Sequence, residues 1–412
     1  MPGIMRFPTV IQEAVEHFGD MFANEPQRRH FAEYLCGLML AQRKTVAGIN
    51  REFADTTDQS CLNRFLTEAS WDEKQVNQAR IDWHQEDPTT RFSERGVIAI
   101  DDVLIDHFGK LIEDVGYFWD HAEQRSKIAH DYLIANYVCT SGKHYPLYFR
   151  RFRKEEQCQA DGVEFLNHTT LCIQLIDQVC ENDIPGTFTW DSYFTNARIM
   201  NHVNGKLDKR GNPRAYVGDI KLNRKIKWRG EEISLTELAA SIDPSDKKEI
   251  RHGDKRQWYF TVTLKIPKVN HKVRVLILWN RRRDREPKKV LVTNRTTWDQ
   301  TRIRSVYRDR WTGTETFHRD GKQELGMGKC QLRDGHGQTR HMVLVMLAYS
   351  LLVRQLKSPR SGDWAVAKLT TIGEACRAML RETLRDTIIW AIDQVMKRPG
   401  KHKEVLAQLG LT

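Results

Sequence analysis

Asp101 and Asp102 interrupt an apolar, β-branched run, GVIAIDDVLIDHF, and Asp191 follows Trp190 in TFTWDSYF. Both runs read as buried strands, where a charge is unfavourable unless it is paired or holds a metal ion. Glu315 sits at the start of a helical stretch in YRDRWTGTETFHRDGKQELGMG. Carboxylates drawn from two strands and a helix supply the hard oxygen donors that Mg²⁺ prefers. Two such ions can activate a water or a 3′-hydroxyl and stabilise the departing oxygen during in-line phosphoryl transfer. Spacing alone does not decide for that chemistry, since structural ion pairs also account for carboxylates scattered along a chain. Side chains alternate faces on a strand, so only one of Asp101 and Asp102 can enter a given site.

The elements that must position these residues follow an α/β order. Residues 1–92 are helical: RRHFAEYLCGLMLAQ and KTVAGINREFA carry apolar residues at three- and four-residue intervals, and QSCLNRFLTEA follows a polar break. Basic residues surround these helices, among them Arg43, Lys44 and Arg51. They suit a helix-turn-helix-like DNA reader, and equally an ordinary bundle with solvated basic faces. Past Asp87-Pro88 come three strands (GVIAIDDVLIDHF, DYLIANYVCTSG, HYPLYFRRF) able to form a meander, then a helix in GVEFLNHTTLCIQLIDQVCEN and a strand in TFTWDSYF. EEISL, QWYFTVTLKIP, HKVRVLILWN and KKVLVTN make residues 222–297 β-rich, and helices at about 299–325, 335–358 and 370–397 complete the chain. The expected division is a helical DNA-binding domain over 1–92, a catalytic core in two parts over 93–221 and 298–365, a β-rich insertion over 222–297 and a helical tail over 366–412.

Charge narrows the partner. Lys and Arg outnumber Asp and Glu by 65 to 54 in the 412 residues, a net +11 that argues for a polyanion. Residues 222–297 hold 20 Lys and Arg against 9 Asp and Glu, so this stretch carries a surplus equal to that of the whole chain. A basic surplus on a β-rich segment suits DNA backbone, whereas membrane binding would require a basic amphipathic surface helix. Tryptophans are interleaved with it; Trp258 and Trp298 are the candidates for stacking on an unstacked base. The longest apolar run, Val343–Val353, is far short of the ~20 residues that span a bilayer. The N-terminal residues lack a signal-peptide layout. The eight cysteines include no CxxC pair and fit buried thiols in a reducing, cytoplasmic compartment better than a disulfide framework or structural zinc.

Residues 307–328 add a specific pattern. Tyr307, two residues, Arg310, then Glu315, six residues and Lys322 resembles the Tyr-Arg-Glu-Lys signature of bacterial insertion-sequence DDE transposases. YRDRW, ETFHRDGKQ, LGMG, AIDDV and WDSYF are similar to that group as well, and the likeness extends over about 95 to 360. The resemblance implies an RNase H-like core interrupted by a β-rich insertion. It implies Asp102, Asp191 and Glu315 as the metal-binding triad, leaving Asp101 as the off-site neighbour. It further implies Mg²⁺, with Mn²⁺ as a substitute, and Tyr307, Arg310 and Lys322 as contacts to DNA near the cleaved phosphate. The activity implied is cleavage of an element's ends and joining of the released 3′-hydroxyls to target DNA, by a dimer on paired ends. A non-catalytic DNA-binding regulator derived from a transposase, or a nuclease of the same core that cuts without joining, are the alternatives. An intact triad argues against the first and the basic insertion against the second.

One departure concerns the signature helix. The group usually leaves three residues between its Arg and Glu, and here Trp311, Thr312, Gly313 and Thr314 make four. At about 100° per residue the extra one swings Glu315 away from Arg310. Gly313 suggests a π-bulge or a break, with Thr312 or Thr314 capping a new start, so the helix is expected to be irregular at 312–314. His318, one turn beyond Glu315, reads as a phosphate contact or a plain surface histidine. The helix in TIGEACRAMLRETLRDTIIWAIDQVM suits a dimer contact or core packing.

Overall fold

The computed structural model describes residues 3–120, 123–252, 255–366 and 368–411. Five helices come first: α1 (Thr9–Phe18), α2 (Glu25–Leu40), α3 (Val46–Asn50), α4 (Gln59–Thr67) and α5 (Glu73–Glu86). Four strands follow, β1 (Val97–Asp106), β2 (Gly116–Asp120), β3 (Arg125–Val138) and β4 (His144–Phe152). Next come α6 (Glu155–Ala160), α7 (His168–Glu181), β5 (Thr187–Trp190), α8 (Ala197–Gly205) and β6 (Tyr216–Asp219). The segment after β6 holds β7 (Lys225–Trp228), β8 (Glu231–Ser234), α9 (Leu235–Ser241), β9 (Lys248–His252), β10 (Lys255–Leu264), β11 (Val273–Trp279) and β12 (Lys289–Thr293). Four helices close the chain: α10 (Gln300–Gln323), α11 (Gly335–Gln355), α12 (Ile372–Lys397) and α13 (His402–Gln408). The chain divides into two compact units, one of Met1–Arg91, Leu104–Asp131 and Thr316–Thr412, the other of Phe92–Val103 and Tyr132–Glu315.

The first unit is built on α11. Its sequence, GHGQTRHMVLVMLAYSLLVRQ, is apolar nearly all round, so the helix is buried on almost every side. Asp334 caps its start, accepting from the Gly337 amide at 2.6 Å. The N-terminal helices pack on it: α2 touches both α11 and α12, and α5 lies along α11. Buried cations fasten these helices through hydrogen bonds. Arg80 donates to the Ser350 hydroxyl at 2.9 Å, and Arg340 donates to the carbonyls of Leu66 at 3.2 Å and Ala69 at 2.7 Å. Each satisfies a polar group that would otherwise be buried unpaired. Two buried histidines, His107 and His130, meet edge to face at 4.6 Å in the same unit.

The second unit carries most of a ten-stranded sheet with the order β2-β3-β1-β5-β6-β12-β11-β10-β9, in which β4 also pairs with β3. The three expected strands β1, β3 and β4 are therefore neighbours. β5 lies parallel to β1, with Val97 opposite Thr187 and Ala99 opposite Thr189, and β6 lies parallel to β5. From β6 outward the pairing is antiparallel: β12 on β6, then β11, β10 and β9. The basic, β-rich stretch thus extends the same sheet, and only β7 and β8 form a separate two-stranded ribbon. Strands buried on both faces explain the continuous apolar runs VIAI in β1 and VLILW in β11. α10 lays Ile303 and Val306 into the core formed by Val97, Val138, Val217, Leu276, Leu278 and Leu291.

Among the described residues no helix is long and apolar enough to cross a membrane. All eight cysteines are free thiols, and six of them are buried.

Candidate active site

β1 sets the first carboxylate. Its burial alternates past Ile100, with Asp101 buried, Asp102 exposed, Val103 buried and Asp106 exposed. Ala99, two residues before Asp101 and therefore on its face, lies 3.5 Å from where a side-chain carbon on Gly313 of α10 would stand. Asp101 consequently looks toward α10, and Asp102 looks the other way. Alternation determined that only one of the two could turn toward α10, and the helix covering that face determined which.

Asp191 stands just past the end of β5, not within a strand as expected. Its Oδ1 accepts from the Tyr193 amide at 2.8 Å and the Phe194 amide at 3.3 Å. That side-chain turn ends the strand after Trp190. The residue therefore sits at the carboxyl end of a parallel strand, where open α/β sheets bind their ligands.

α10 supplies the rest. It is one continuous helix from Gln300 to Gln323, so the irregularity expected at 312–314 is absent. Gly313 serves close packing instead: a methyl group added there would lie 2.6 Å from Val138 Cγ2 on β3. Thr314 caps nothing, because its hydroxyl donates back to the Arg310 carbonyl at 3.1 Å inside the helix. With the helix regular, Arg310 and Glu315 are about 140° apart around its axis. Arg310 turns inward and donates from Nη1 to Asp101 Oδ2 at 2.7 Å, while its guanidinium lies 5.4 Å from the centre of the Tyr307 ring.

The electrostatics tie the group together. Burial pushes the Asp101 carboxyl up to about 7; Arg310 acts in the opposite sense, and Asp102, Asp191 and Glu315 add to the rise. Burial works against the charge on Arg310 too, but Asp101, Tyr307 and Asp191 hold its pKa above the ordinary value. Among the described residues no three His, Cys, Asp or Glu side chains already stand close enough to enclose a metal ion. The donors are nevertheless of the right kind. Asp101 is a buried oxygen donor in the field of three other carboxylates, a charge that a divalent cation would neutralise.

The other expected contacts fall in varied places. Tyr307 is half-buried; its hydroxyl donates to Asp219 at 3.3 Å and accepts from Lys289 at 3.2 Å. Further along the helix His318 is buried and Lys322 exposed. Trp258 is half-buried and paired across the strands with the fully buried Trp279. Trp298 packs against the core, with the Arg302 guanidinium 5.1 Å from its ring centre. Both of these tryptophans are half-buried, whereas Trp311, one turn before Glu315, is 62% exposed. The sequence reading passed over Trp311 although it stands inside the signature. Within the basic stretch expected to meet DNA backbone, Arg281, Arg282, Arg283 and Arg285 of RRRDR, between β11 and β12, are all exposed. In the first unit Arg43 and Arg51 are exposed, but Lys44 is half-buried. Desolvation lowers the Lys44 pKa, against the pull of Cys376, Glu324 and Glu52.

Comparison with known families decides the identity. The family model described as DDE superfamily endonuclease matches residues 17–225, about half of the chain, and the model described as transposase DDE domain matches residues 218–351. The chain belongs to the DDE transposases. No curated protein matches it. As a DDE transposase the chain is a nuclease of transposase type that acts on DNA, in a family that generally uses divalent metal ions. The two matches meet between β6 and β7, so the first spans Asp101 and Asp191, and the second spans the signature helix with Glu315.

Proposed function

We propose that this transposase cleaves the ends of an insertion sequence and joins the freed 3′-hydroxyls to target DNA, with Asp101, Asp191 and Glu315 holding Mg²⁺. The observation that carries the reading is that the buried Asp101 of β1 meets the signature helix, whose Arg310 guanidinium donates to it at 2.7 Å. Asp101 replaces Asp102 in the triad because it is the buried member of the pair and faces the signature helix. The core is RNase H-like, a reading supported by the run β4-β3-β1-β5-β6 with β5 and β6 parallel to β1.

When bound, Mg²⁺ would activate the attacking water or 3′-hydroxyl and neutralise the departing oxygen. The protein's own groups orient and grip the DNA. Tyr307, Arg310 and Lys322 reach the phosphates flanking the scissile bond, and Trp311 offers a face to an unstacked base. The exposed arginines between β11 and β12 hold the DNA backbone, and the basic N-terminal helices are a further DNA-binding element. The enzyme works as a homodimer on paired ends. An exposed apolar stripe on α12, formed by Ile388, Ile389, Ile392, Val395 and Met396, supports self-association. Eight unpaired thiols fit action in the cytoplasm.

The test is cleavage and strand transfer on a supercoiled plasmid carrying the element's ends, with Mg²⁺. Wild type should excise and join, whereas Asp191→Asn and Glu315→Gln should bind the same DNA and leave it intact. Full activity of Glu315→Gln would remove that residue from the triad.

A further inference from the structure

Arg310 and Asp101 form the one ion pair that any of the three proposed ligands makes among the described residues. Asp191 and Glu315 have none, whereas Asp101 is held at 2.7 Å by a guanidinium that is itself buried. Arg310 is also imperfectly housed: its Nε is buried and has no hydrogen-bond partner among the described residues. A buried N–H left unpaired is unfavourable, and its persistence calls for an explanation in another state of the protein. The backbone that carries Arg310 has little freedom to move. Gly313, less than one turn away, is packed so closely on Val138 that α10 has no room to approach the strands further, and Ala99 borders the same spot. Any relocation of the guanidinium is therefore a side-chain rotation over the Tyr307 ring, 5.4 Å beneath it.

We propose that Arg310 is an exchangeable counter-cation. It occupies Asp101 in the metal-free protein and, on divalent-cation loading, turns out to a backbone phosphate of the bound DNA. The inference rests on the assignment of Asp101, Asp191 and Glu315 as metal ligands. One carboxylate oxygen cannot serve a guanidinium and a cation at full strength, so the two compete for Asp101. The displaced guanidinium regains partners on a phosphate, which accepts the planar fork of N–H groups in two parallel hydrogen bonds. Metal and DNA must then favour each other's binding by the same factor, because linkage between two binding equilibria is reciprocal.

The experiment uses the full chain and two probes: Mn²⁺, followed by the loss of its free electron-paramagnetic-resonance signal, and a fluorescein-labelled duplex, followed by anisotropy. Without DNA, Arg310→Met should bind Mn²⁺ about ten- to a hundredfold more tightly than wild type, the range a charge-assisted hydrogen bond spans. Arg310→Lys should fall between them. In wild type, Mn²⁺ should tighten duplex binding and steepen its dependence on log salt by about 0.9, the slope of one further phosphate contact. In Arg310→Met that steepening should vanish. The wild-type salt slopes stand even if the methionine variant fails to fold, and a slope unmoved by Mn²⁺ would overturn the proposal. Were Arg310→Met to bind Mn²⁺ no more tightly while Asp101→Asn lost it, the exchange would be wrong and the ligand assignment would survive. Should Asp101→Asn bind Mn²⁺ like wild type, both would fall together.

Discussion

Gly313 of α10 faces Val138 of β3 so closely that a methyl group on it would stand 2.6 Å from Val138 Cγ2. The contact sets the height of the signature helix above the strand neighbouring β1, and hence how far Arg310 and Glu315 reach.

Gly313→Ala tests it. Alanine favours a helix interior over glycine by about 1 kcal/mol, and overpacking a filled core costs about 1–3 kcal/mol. The sum predicts little change to about 2 kcal/mol of lost stability, together with a loss of DNA cleavage larger than that figure explains. Val138→Ala in the same chain should restore cleavage by making room. Chemical denaturation paired with plasmid cleavage reads both; failure of the double variant to recover would assign Gly313 some other role.

Asp101 and Asp102 make the sharpest comparison in the site. Partners that merely support a metal ligand cost about 10–100-fold when removed, so losing a direct ligand should cost more. Asp101→Asn is therefore expected to lower cleavage by more than about a hundredfold, and Asp102→Asn to leave it within about tenfold. The opposite ranking would return the triad to Asp102.

Which of the two neighbours turns toward α10 was not legible in the sequence. Alternation along β1 was legible, as were the periodic runs of α7 and α11 and the apolar run of β11. Which face of β1 meets α10 depends on a contact between Ala99 and Gly313, 214 positions apart in sequence, and no local pattern carries it. Gly313 itself was misread, because a glycine in a helix permits a break and a close approach equally well. Short strands such as β6 and β9, with four and five residues, offer too few positions for a period to show. The end of β5 came earlier than expected since Asp191 binds two backbone amides that a strand would have sent to a neighbour.

Exposure separates the tryptophans. Trp311 is 62% exposed, so Trp311→Ala should change stability by no more than about 0.5 kcal/mol, as other surface substitutions do. If the ring stacks on a base, cleavage or end binding should weaken by an amount corresponding to about 1–3 kcal/mol. Trp298 packs on the core, so Trp298→Ala should show the reverse pattern, with stability falling by up to about 3–5 kcal/mol. Equal behaviour of the two variants in denaturation would contradict the distinction.

Acid should loosen the helical unit through its histidines. Burial pushes His107 down to about 4, with Asp106 opposing, and burial likewise holds His341 at about 4. An unfolded histidine takes up a proton near 6.5, so between there and about 4 the unfolded chain binds protons that the folded one refuses. Stability is then complete above about 6.5 and is lost as the pH falls toward 4. Each histidine contributes a loss of about 2 kcal/mol between pH 7 and pH 5. His107 has no hydrogen-bond partner for either ring nitrogen among the described residues, so His107→Leu removes the titration without orphaning a donor. Guanidinium unfolding at the two pH values should show the variant close to wild type at pH 7 and the more stable of the two at pH 5. An unchanged difference between the two pH values would mean that His107 takes up its proton in the folded protein as readily as in the unfolded one.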